Sequence, residues 1–325
     1  MRAIEFRTFD GPQALEVIEV ETPWPGPGEV LVRVEAAGLN FFETLMLRDA
    51  YAATPALPMR PGVEVAGTVE ALGAGVEGVA PGARVGVPLF VSGGGGGYAE
   101  FVTARAEELV PLPDAVSFEA ATALMVQGLT ALYAARHVAL KGKTVYVPAA
   151  AGGVGSLLVQ LARIEGAAKV IAGAGSADKV ATALALGADA GIDYSAPGWL
   201  EELKAATGGA GVDVIHDFAG GEGTAALTWA LAPGGTLVFG AMGRFALSRD
   251  VTDAMMAANQ ALKGFYLLPL VVPERARADI ADLLAMAADG RLSLLPVNRF
   301  ALARAGEAHA ALEERRTTGK VVLVP

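Results

Sequence analysis

Cysteine is absent from the 325 residues. No disulfide, thiolate metal site or cysteine nucleophile can therefore form. Histidine is scarce: His137, His216 and His309 stand far apart and show no H-E-x-x-H spacing. A zinc site would have to gather histidines and carboxylates from remote segments. No apolar run is long enough to span a bilayer. The opening Met1-Arg2-Ala3-Ile4-Glu5-Phe6 reads as a first strand and lacks the apolar core of a signal peptide. The expectation is a soluble cytoplasmic protein without a membrane partner. Basic runs are missing as well, and the formal net charge is −10, so no nucleic-acid partner is expected. Bulk negative charge still allows one phosphate in a local basic pocket. There is no G-x-S-x-G nucleophile elbow and no P-loop lysine, so hydrolase and NTPase chemistry lack support.

What is present is apolar and glycine-rich, with 53% hydrophobic residues. The length suffices for two domains, each with its own core. Residues 1 to about 115 look β-rich, with strands such as Val30–Val34 and Val63–Val69 between Pro/Gly clusters. Gly93 to Gly97 form five consecutive glycines, by composition a flexible surface loop or a lid. From about 118 the pattern alternates strand and helix. The strands are Val145–Val147, Lys169–Ala172, Ala190–Asp193, Val212–Ile215 and Thr236–Phe239. Five strands alternating with helices imply an α/β fold with a doubly wound parallel sheet. After that come helices over Pro273–Asp289 and Ala303–Glu314, and a last strand, Lys320–Val324. A strand left over after a complete parallel unit is expected to pair with the first domain.

The strongest motif is Ala149-Ala150-Ala151-Gly152-Gly153-Val154-Gly155, between the strand Thr144–Val147 and a helix start. It reads as a dinucleotide fingerprint with Ala150 in the first glycine position. Its glycines let the backbone approach a pyrophosphate, and the first helical N–H groups face the charge. A purely structural βα turn is the competing reading. Roughly 20 residues on, an NAD enzyme places a carboxylate at the tip of its second strand. This chain has Gly173-Ala174-Gly175-Ser176-Ala177-Asp178-Lys179 instead. Room, a hydroxyl and an ammonium suit a 2′-phosphate, so NADPH is favoured over NADH. Asp178 counts against this if it faces the pocket, and Lys179 also reads as an ordinary helix lysine.

Together these segments resemble the zinc-free quinone oxidoreductase branch of the medium-chain dehydrogenase/reductase superfamily. Gly38-Leu39-Asn40-Phe41, Pro61 to Gly67, Gln127 to Ala131, Ala150 to Gly155 and Gly319 to Val322 carry the resemblance, which extends over nearly the whole chain. Zinc-containing relatives have G-H-E where this chain has Gly62-Val63-Glu64. The resemblance implies a GroES-like β-rich catalytic domain over 1–117 and 259–325, interrupted by a Rossmann NADPH-binding domain over 118–258, with the active site in the cleft between them. It also implies a homodimer, through the sheet edge near Leu237-Val238-Phe239. Gly152, Gly153, Val154 and Gly155 would hold the pyrophosphate. Gly173, Ser176, Lys179 and Tyr194 would surround the 2′-phosphate, although Ser195 stands where an arginine often follows that tyrosine. Thr130, Phe239, Gly240 and Phe265 would lie near the nicotinamide. Asn40 would contact the nicotinamide ribose or the substrate oxygen.

Quinone reduction needs little beyond the positioning of two rings. Asn40 could donate a hydrogen bond to the acceptor oxygen, and Tyr51 could supply a proton if it is more than a turn tyrosine. Three functions are compatible with this: an NADPH-dependent quinone oxidoreductase, an NADPH-dependent reductase of activated C=C bonds in an enal, enone or enoyl thioester, and an NADPH-binding protein with a mainly non-catalytic role. In each enzymatic reading the partner is a small-molecule substrate.

Overall fold

The structure is a computed structural model that describes residues 1–221, 223–241 and 244–325. It divides into two compact units. The first comprises Met1–Leu129 and Val271–Pro325, the second Thr130–Leu270. Both boundaries lie C-terminal of those read from the sequence.

In the first unit, β1 (Arg2–Glu5) and β2 (Glu16–Glu19) form a small antiparallel pair. The main sheet is built on β3 (Glu29–Leu39), with β4 (Val65–Leu72), β5 (Arg84–Val87), β6 (Phe101–Arg105) and β7 (Val110–Pro111). Helix α1 (Phe41–Met46) follows β3 directly. The eleven residues of β3 serve two partners along one edge: Glu29–Arg33 pair with β6, and Ala37–Leu39 pair with the last strand of the chain. Strand β3 is buried at Val30–Val32, exposes Arg33, and becomes wholly buried at Ala36–Leu39. Its inward side chains meet those of β4 in one apolar core with Val30, Val32, Val34, Val65 and Val69. The run Gly93–Gly97 is not a free loop. Its backbone N–H groups at Gly96 and Gly97 donate to the carbonyls of Arg60 and Gly62, and Tyr98 donates to Pro61. Glycine is needed because the backbones approach closely: a side chain on Gly97 would lie 2.8 Å from Val65.

Helix α2 (Phe118–Ala123) begins at the cap Ser117, whose hydroxyl accepts the Ala120 N–H. The unit boundary falls within α3 (Val126–His137). That helix carries no amphipathic signal because it is apolar around most of its circumference, which hid it from a periodicity reading.

The second unit is a six-stranded parallel sheet. Its strands are β8 (Thr144–Val147), β9 (Lys169–Ala174), β10 (Ala190–Asp193), β11 (Val212–Asp217), β12 (Leu231–Phe239) and β13 (Ala261–Gly264), in the order β10-β9-β8-β11-β12-β13. Between them lie α4 (Gly153–Ile164), α5 (Ala177–Ala185), α6 (Trp199–Ala206), α7 (Gly223–Thr228) and α8 (Arg249–Ala257). Strands buried on both faces read as continuous apolar runs, as in Val170-Ile171-Ala172. The edge strand β13 was not legible, since its four residues are all exposed and carry no apolar pattern. Its presence corrects the expected dimer edge. Leu237-Val238-Phe239 pair with β11 on one side and β13 on the other, so they offer no open edge.

The chain then returns to the first unit with α9 (Pro273–Ala288), β14 (Asn298–Ala301), α10 (Ala305–Glu313) and β15 (Val321–Val324). Strand β15 pairs antiparallel with β3, Val321 opposite Leu39. Among the described residues, no helix is long and apolar enough to cross a membrane.

Candidate active site

Apart from Thr130 in α3, the expected site residues of the second unit lie at or after the carboxyl ends of the parallel strands. The neighbours β8 and β11 are the point where the strand order reverses, where ligands bind in open α/β sheets. Strand β8 ends at Val147, and the chain turns through Ala149, whose φ is +51°, into Gly152, the cap of α4. The Gly152 N–H donates to the Ala149 carbonyl at 2.8 Å, closing a tight turn. The first helical hydrogen bond runs from the Ser156 N–H to the Gly152 carbonyl, so the N–H groups of Gly153, Val154 and Gly155 start the helix. Gly155 has no alternative: a side chain there would lie 2.3 Å from the Ala149 carbonyl oxygen. No acidic residue occupies the first turn of α4 to compete for an anion.

At the tip of β9, Ser176 caps α5, and its hydroxyl accepts the Lys179 N–H at 3.4 Å. Ala174 and Gly175 leave no carboxylate at the tip, and Asp178 is exposed in the first turn of α5. The Tyr194 N–H donates to the Ala174 carbonyl, and the Tyr194 ring flanks the α-carbon of Gly175. Ser195 folds back on Asp193 through both its N–H and its hydroxyl. Gly173 packs against Tyr146 of β8. A side chain there would meet the Tyr146 hydroxyl at 2.1 Å. Among the described residues that buried hydroxyl has no hydrogen-bond partner, and burial pushes its pKa upward.

At the other end of the strand row, the Phe265 N–H donates to the Phe239 carbonyl and the Gly240 N–H to the Asp217 carbonyl. The Phe239 ring stacks on Phe245, centroids 4.2 Å apart. Phe265 packs edge-on against both Phe218 and His137. Thr130 lies in α3, half-buried. His216 and Asp217 do not pair with each other. Asp217 accepts from the N–H groups of Ala219 and Gly220 and from the Thr224 hydroxyl. The fully buried His216 ring stacks on Phe218 with neither nitrogen hydrogen-bonded among the described residues, and burial pushes its pKa down to about 3.

In the first unit, Asn40 is the cap of α1 and only 3% exposed. Its amide is fully engaged. Oδ1 accepts from Lys320 Nζ at 2.9 Å, and Nδ2 donates to Glu64 Oε1 at 2.8 Å and, at 3.4 Å, to Glu43 Oε2. Ammonium groups only donate and carboxylates only accept, so this orientation of the amide is the one the chemistry allows. The sequence points to Asn40 as a hydrogen-bond donor to the acceptor oxygen; in the structure its second amide hydrogen is directed at Glu43. Tyr51 lies in the loop after α1, half-buried, its ring 5.4 Å from that of Phe42.

Around Asn40 lies a buried polar chain that the sequence reading missed. Lys320 and Glu64 form an ion pair with no solvent exposure of either side chain. Glu64 also accepts the Val126 N–H at 2.7 Å. Glu43 accepts the N–H groups of Asn40 and Gly62, each at 2.9 Å, and the Tyr98 hydroxyl at 3.4 Å. His309 touches Tyr98 Oη through Nε2 at 3.3 Å and Thr44 Oγ1 through Nδ1 at 3.0 Å. Burial pushes Glu43 up to about 7, with the Glu64 charge adding to it and the Asn40 N–H and Lys320 opposing it. Burial pushes His309 down to about 3. Two glycines make room for this chain. A side chain on Gly38 would lie 2.5 Å from Glu64 Oε1, and one on Gly62, whose φ is +99°, would strike Tyr98. The available signal was a pair of opposite charges, Glu64 and Lys320, each set in an otherwise apolar strand sequence.

Comparison with known proteins agrees with this architecture. Residues 26–114 match the alcohol dehydrogenase GroES-like domain, and residues 186–323 match the zinc-binding dehydrogenase family. The chain is 35% identical to a quinone oxidoreductase of Pseudomonas aeruginosa, over 100% of this chain and 99% of the relative. The structure of an Escherichia coli quinone oxidoreductase complexed with NADPH superposes with a TM-score of 0.90 at 30% identity, covering 100% of both chains. A structure described as an NAD-dependent alcohol dehydrogenase superposes with a TM-score of 0.86 at 32% identity, again over 100% of both chains. With a GroES-like β-rich part interrupted by a doubly wound Rossmann sheet, the chain is an oxidoreductase and belongs to the quinone oxidoreductase branch of the medium-chain dehydrogenase/reductase superfamily.

Proposed function

We propose that the chain transfers a hydride directly from NADPH to a quinone, without zinc. The observation that carries the cofactor reading is the anion cradle at the start of α4 beside a β9 tip that has no carboxylate. Gly152 to Gly155 would hold the pyrophosphate on backbone N–H groups. Ser176, Lys179 and Tyr194, with the room left at Gly175, would take the 2′-phosphate. Thr130, Phe239, Gly240 and Phe265 would border the nicotinamide. When bound, NADPH supplies the hydride. The contribution of the chain is to orient two rings and exclude water.

The zinc implied by one family name does not fit the residues. The chain has no thiolate to offer, Val63 stands between Gly62 and Glu64, and Glu64 is committed to Lys320, Asn40 and the Val126 N–H. Among the described residues, no three His, Asp or Glu side chains converge as a metal site.

On the acceptor side, the 3.4 Å contact from Asn40 to Glu43 is the one a substrate oxygen would compete for. Tyr51 against Phe42 is a candidate proton donor, and this favours a second reading, reduction of an activated C=C bond, which needs a proton at the α-carbon. Initial rates with NADPH and NADH against quinones and small enones separate the readings. Quinone turnover with NADPH preferred supports the first, and turnover with enones alone supports the second. Tight NADPH binding without turnover on any acceptor points to a mainly non-catalytic role.

We further propose a homodimer through β13. All four of its residues are exposed, Leu262 among them, and no described strand covers its outer edge. Light scattering on the purified chain tests this. Twice the 33.1 kDa chain mass is expected, and a monomer overturns it.

A further inference from the structure

The first unit contains a continuous line of buried polar groups: Glu43 to Tyr98, Tyr98 to His309, His309 to Thr44. Glu43, Thr44, Tyr98 and His309 are each no more than 2% exposed. None of them is required by the hydride transfer described above. The hydroxyl of Tyr98, the hydroxyl of Thr44 and a neutral imidazole each carry one hydrogen and can each accept one. Such a line can be filled in two ways only.

With Glu43 ionised, its Oε2 accepts, so Tyr98 donates to Glu43. The Tyr98 oxygen then accepts from His309 Nε2–H, and His309 Nδ1 accepts from Thr44. With Glu43 protonated on Oε2, every bond reverses. Glu43 donates to Tyr98, Tyr98 donates to His309 Nε2, and His309 Nδ1–H donates to Thr44. The two fillings make every link of the line, and they differ by one proton at Glu43 and by the tautomer of His309. No atoms move beyond the hydrogens.

We propose that Glu43 is a positioning residue whose single proton sets the direction of this hydrogen-bond line, so that His309 exchanges its Nε2–H tautomer for the Nδ1–H tautomer when Glu43 takes up a proton.

The groups facing Glu43 make it the titrating member. From the residue before β4 comes the Glu64 carboxylate, and from the residue before β15 the Lys320 ammonium. From the loop after Gly97 comes Tyr98, which burial and the nearby carboxylates hold well above its ordinary range. From α10 comes His309, which burial keeps neutral. The N–H groups of Asn40 and Gly62 point at the two oxygens of Glu43 and stabilise its ionised form, while burial and Glu64 oppose it. These influences bring Glu43 to about neutrality, where both fillings are populated. The inference does not depend on the identity of the hydride acceptor.

The test is a pH titration of the full chain labelled with 15N-histidine, read by the ring nitrogen resonances. His309 should remain neutral throughout, and its two nitrogens should exchange pyrrole-type and pyridine-type positions in a single transition across neutrality. His216, equally buried and neutral but outside the line, should keep one tautomer and serves as the internal control. Glu43→Gln should abolish the exchange. Tyr98→Phe keeps the ring and removes the linking hydroxyl, and it should also uncouple His309 from pH. An unchanged His309 tautomer in the unaltered chain, or an exchange that persists in either variant, overturns the proposal. If Glu43→Gln fails to fold, Tyr98→Phe decides the matter alone.

Discussion

Each unit buries one histidine completely, and the two are treated in opposite ways. His309 in the first unit has a partner on both ring nitrogens. His216 in the second has none on either. Burial pushes both to about 3, so the imidazole is neutral in both places. The contrast extends to their neighbours. In the first unit Asn40, Glu43, Glu64, Tyr98 and Lys320 satisfy one another. In the second unit the Tyr146 hydroxyl is buried against Gly173 without a partner. Burial alone therefore does not tell whether a polar group supports a fold. The first unit uses polar groups to tie α1, α10, β15 and the Tyr98 loop together, though Gln127 Oε1 there is also buried without a hydrogen-bond partner among the described residues, whereas the second holds its parallel sheet by apolar packing and leaves the Tyr146 hydroxyl and both His216 nitrogens unpaired among them.

The contrast breaks most forcefully at Lys320. Lys320→Met leaves Glu64 buried without its cation and should cost about 3–5 kcal/mol. Denaturant unfolding of the full chain reads this, and a Lys320→Met/Glu64→Gln double variant should recover part of the loss. The histidines should respond with opposite signs. His309→Phe strands Thr44 and Tyr98 and should cost about 1–3 kcal/mol, whereas His216→Phe removes unpaired nitrogens from an apolar site and should be neutral or stabilising. Equal destabilisation by both variants would erase the distinction.

Acid sharpens the comparison. A histidine held at about 3 when folded and titrating near 6.5 when unfolded contributes stability above the higher value and loses it as the pH falls toward the lower. Stability should therefore drop on acidification below about 6.5, and His216→Phe should make that slope shallower. Glu43 works the other way. Raised from 4.5 to about 7, it contributes stability that is full below 4.5 and lost as the pH rises through about 7. Glu43→Gln should flatten that part of the profile, measured by melting temperature against pH.

The smallest effect concerns the solvent-facing edge of the second unit. Lys179→Ala should weaken NADPH binding by roughly tenfold, one charge-assisted hydrogen bond, and leave NADH nearly unchanged. Fluorescence titration with each nucleotide checks it, and an equal loss for both would remove Lys179 from the 2′-phosphate role.

The parallel sheet was readable because βα alternation is local, and Ser176 and Gly152 mark helix starts by their own chemistry. Strand β13 and helix α3 were not, because one is short and fully exposed and the other lacks an apolar stripe. Among the candidate residues, Gly152 to Gly155 follow from spacing alone. The commitment of Asn40 does not, since its partners Glu64 and Lys320 lie 24 and 280 residues away in the chain. Gly173 carries the same lesson: its size is set by Tyr146 on the neighbouring strand.

By itself the sequence determined the class of fold, the glycine turn that opens α4 and the absence of thiolate chemistry, since each depends on residue type or on spacing within one βα unit. Only the tertiary structure decided which charges neutralise each other, which histidine is hydrogen-bonded and which strand is left at the edge. Those outcomes depend on distances between segments remote in sequence, and hydrogen bonds and ion pairs fall off too steeply with distance to be read before the chain is folded.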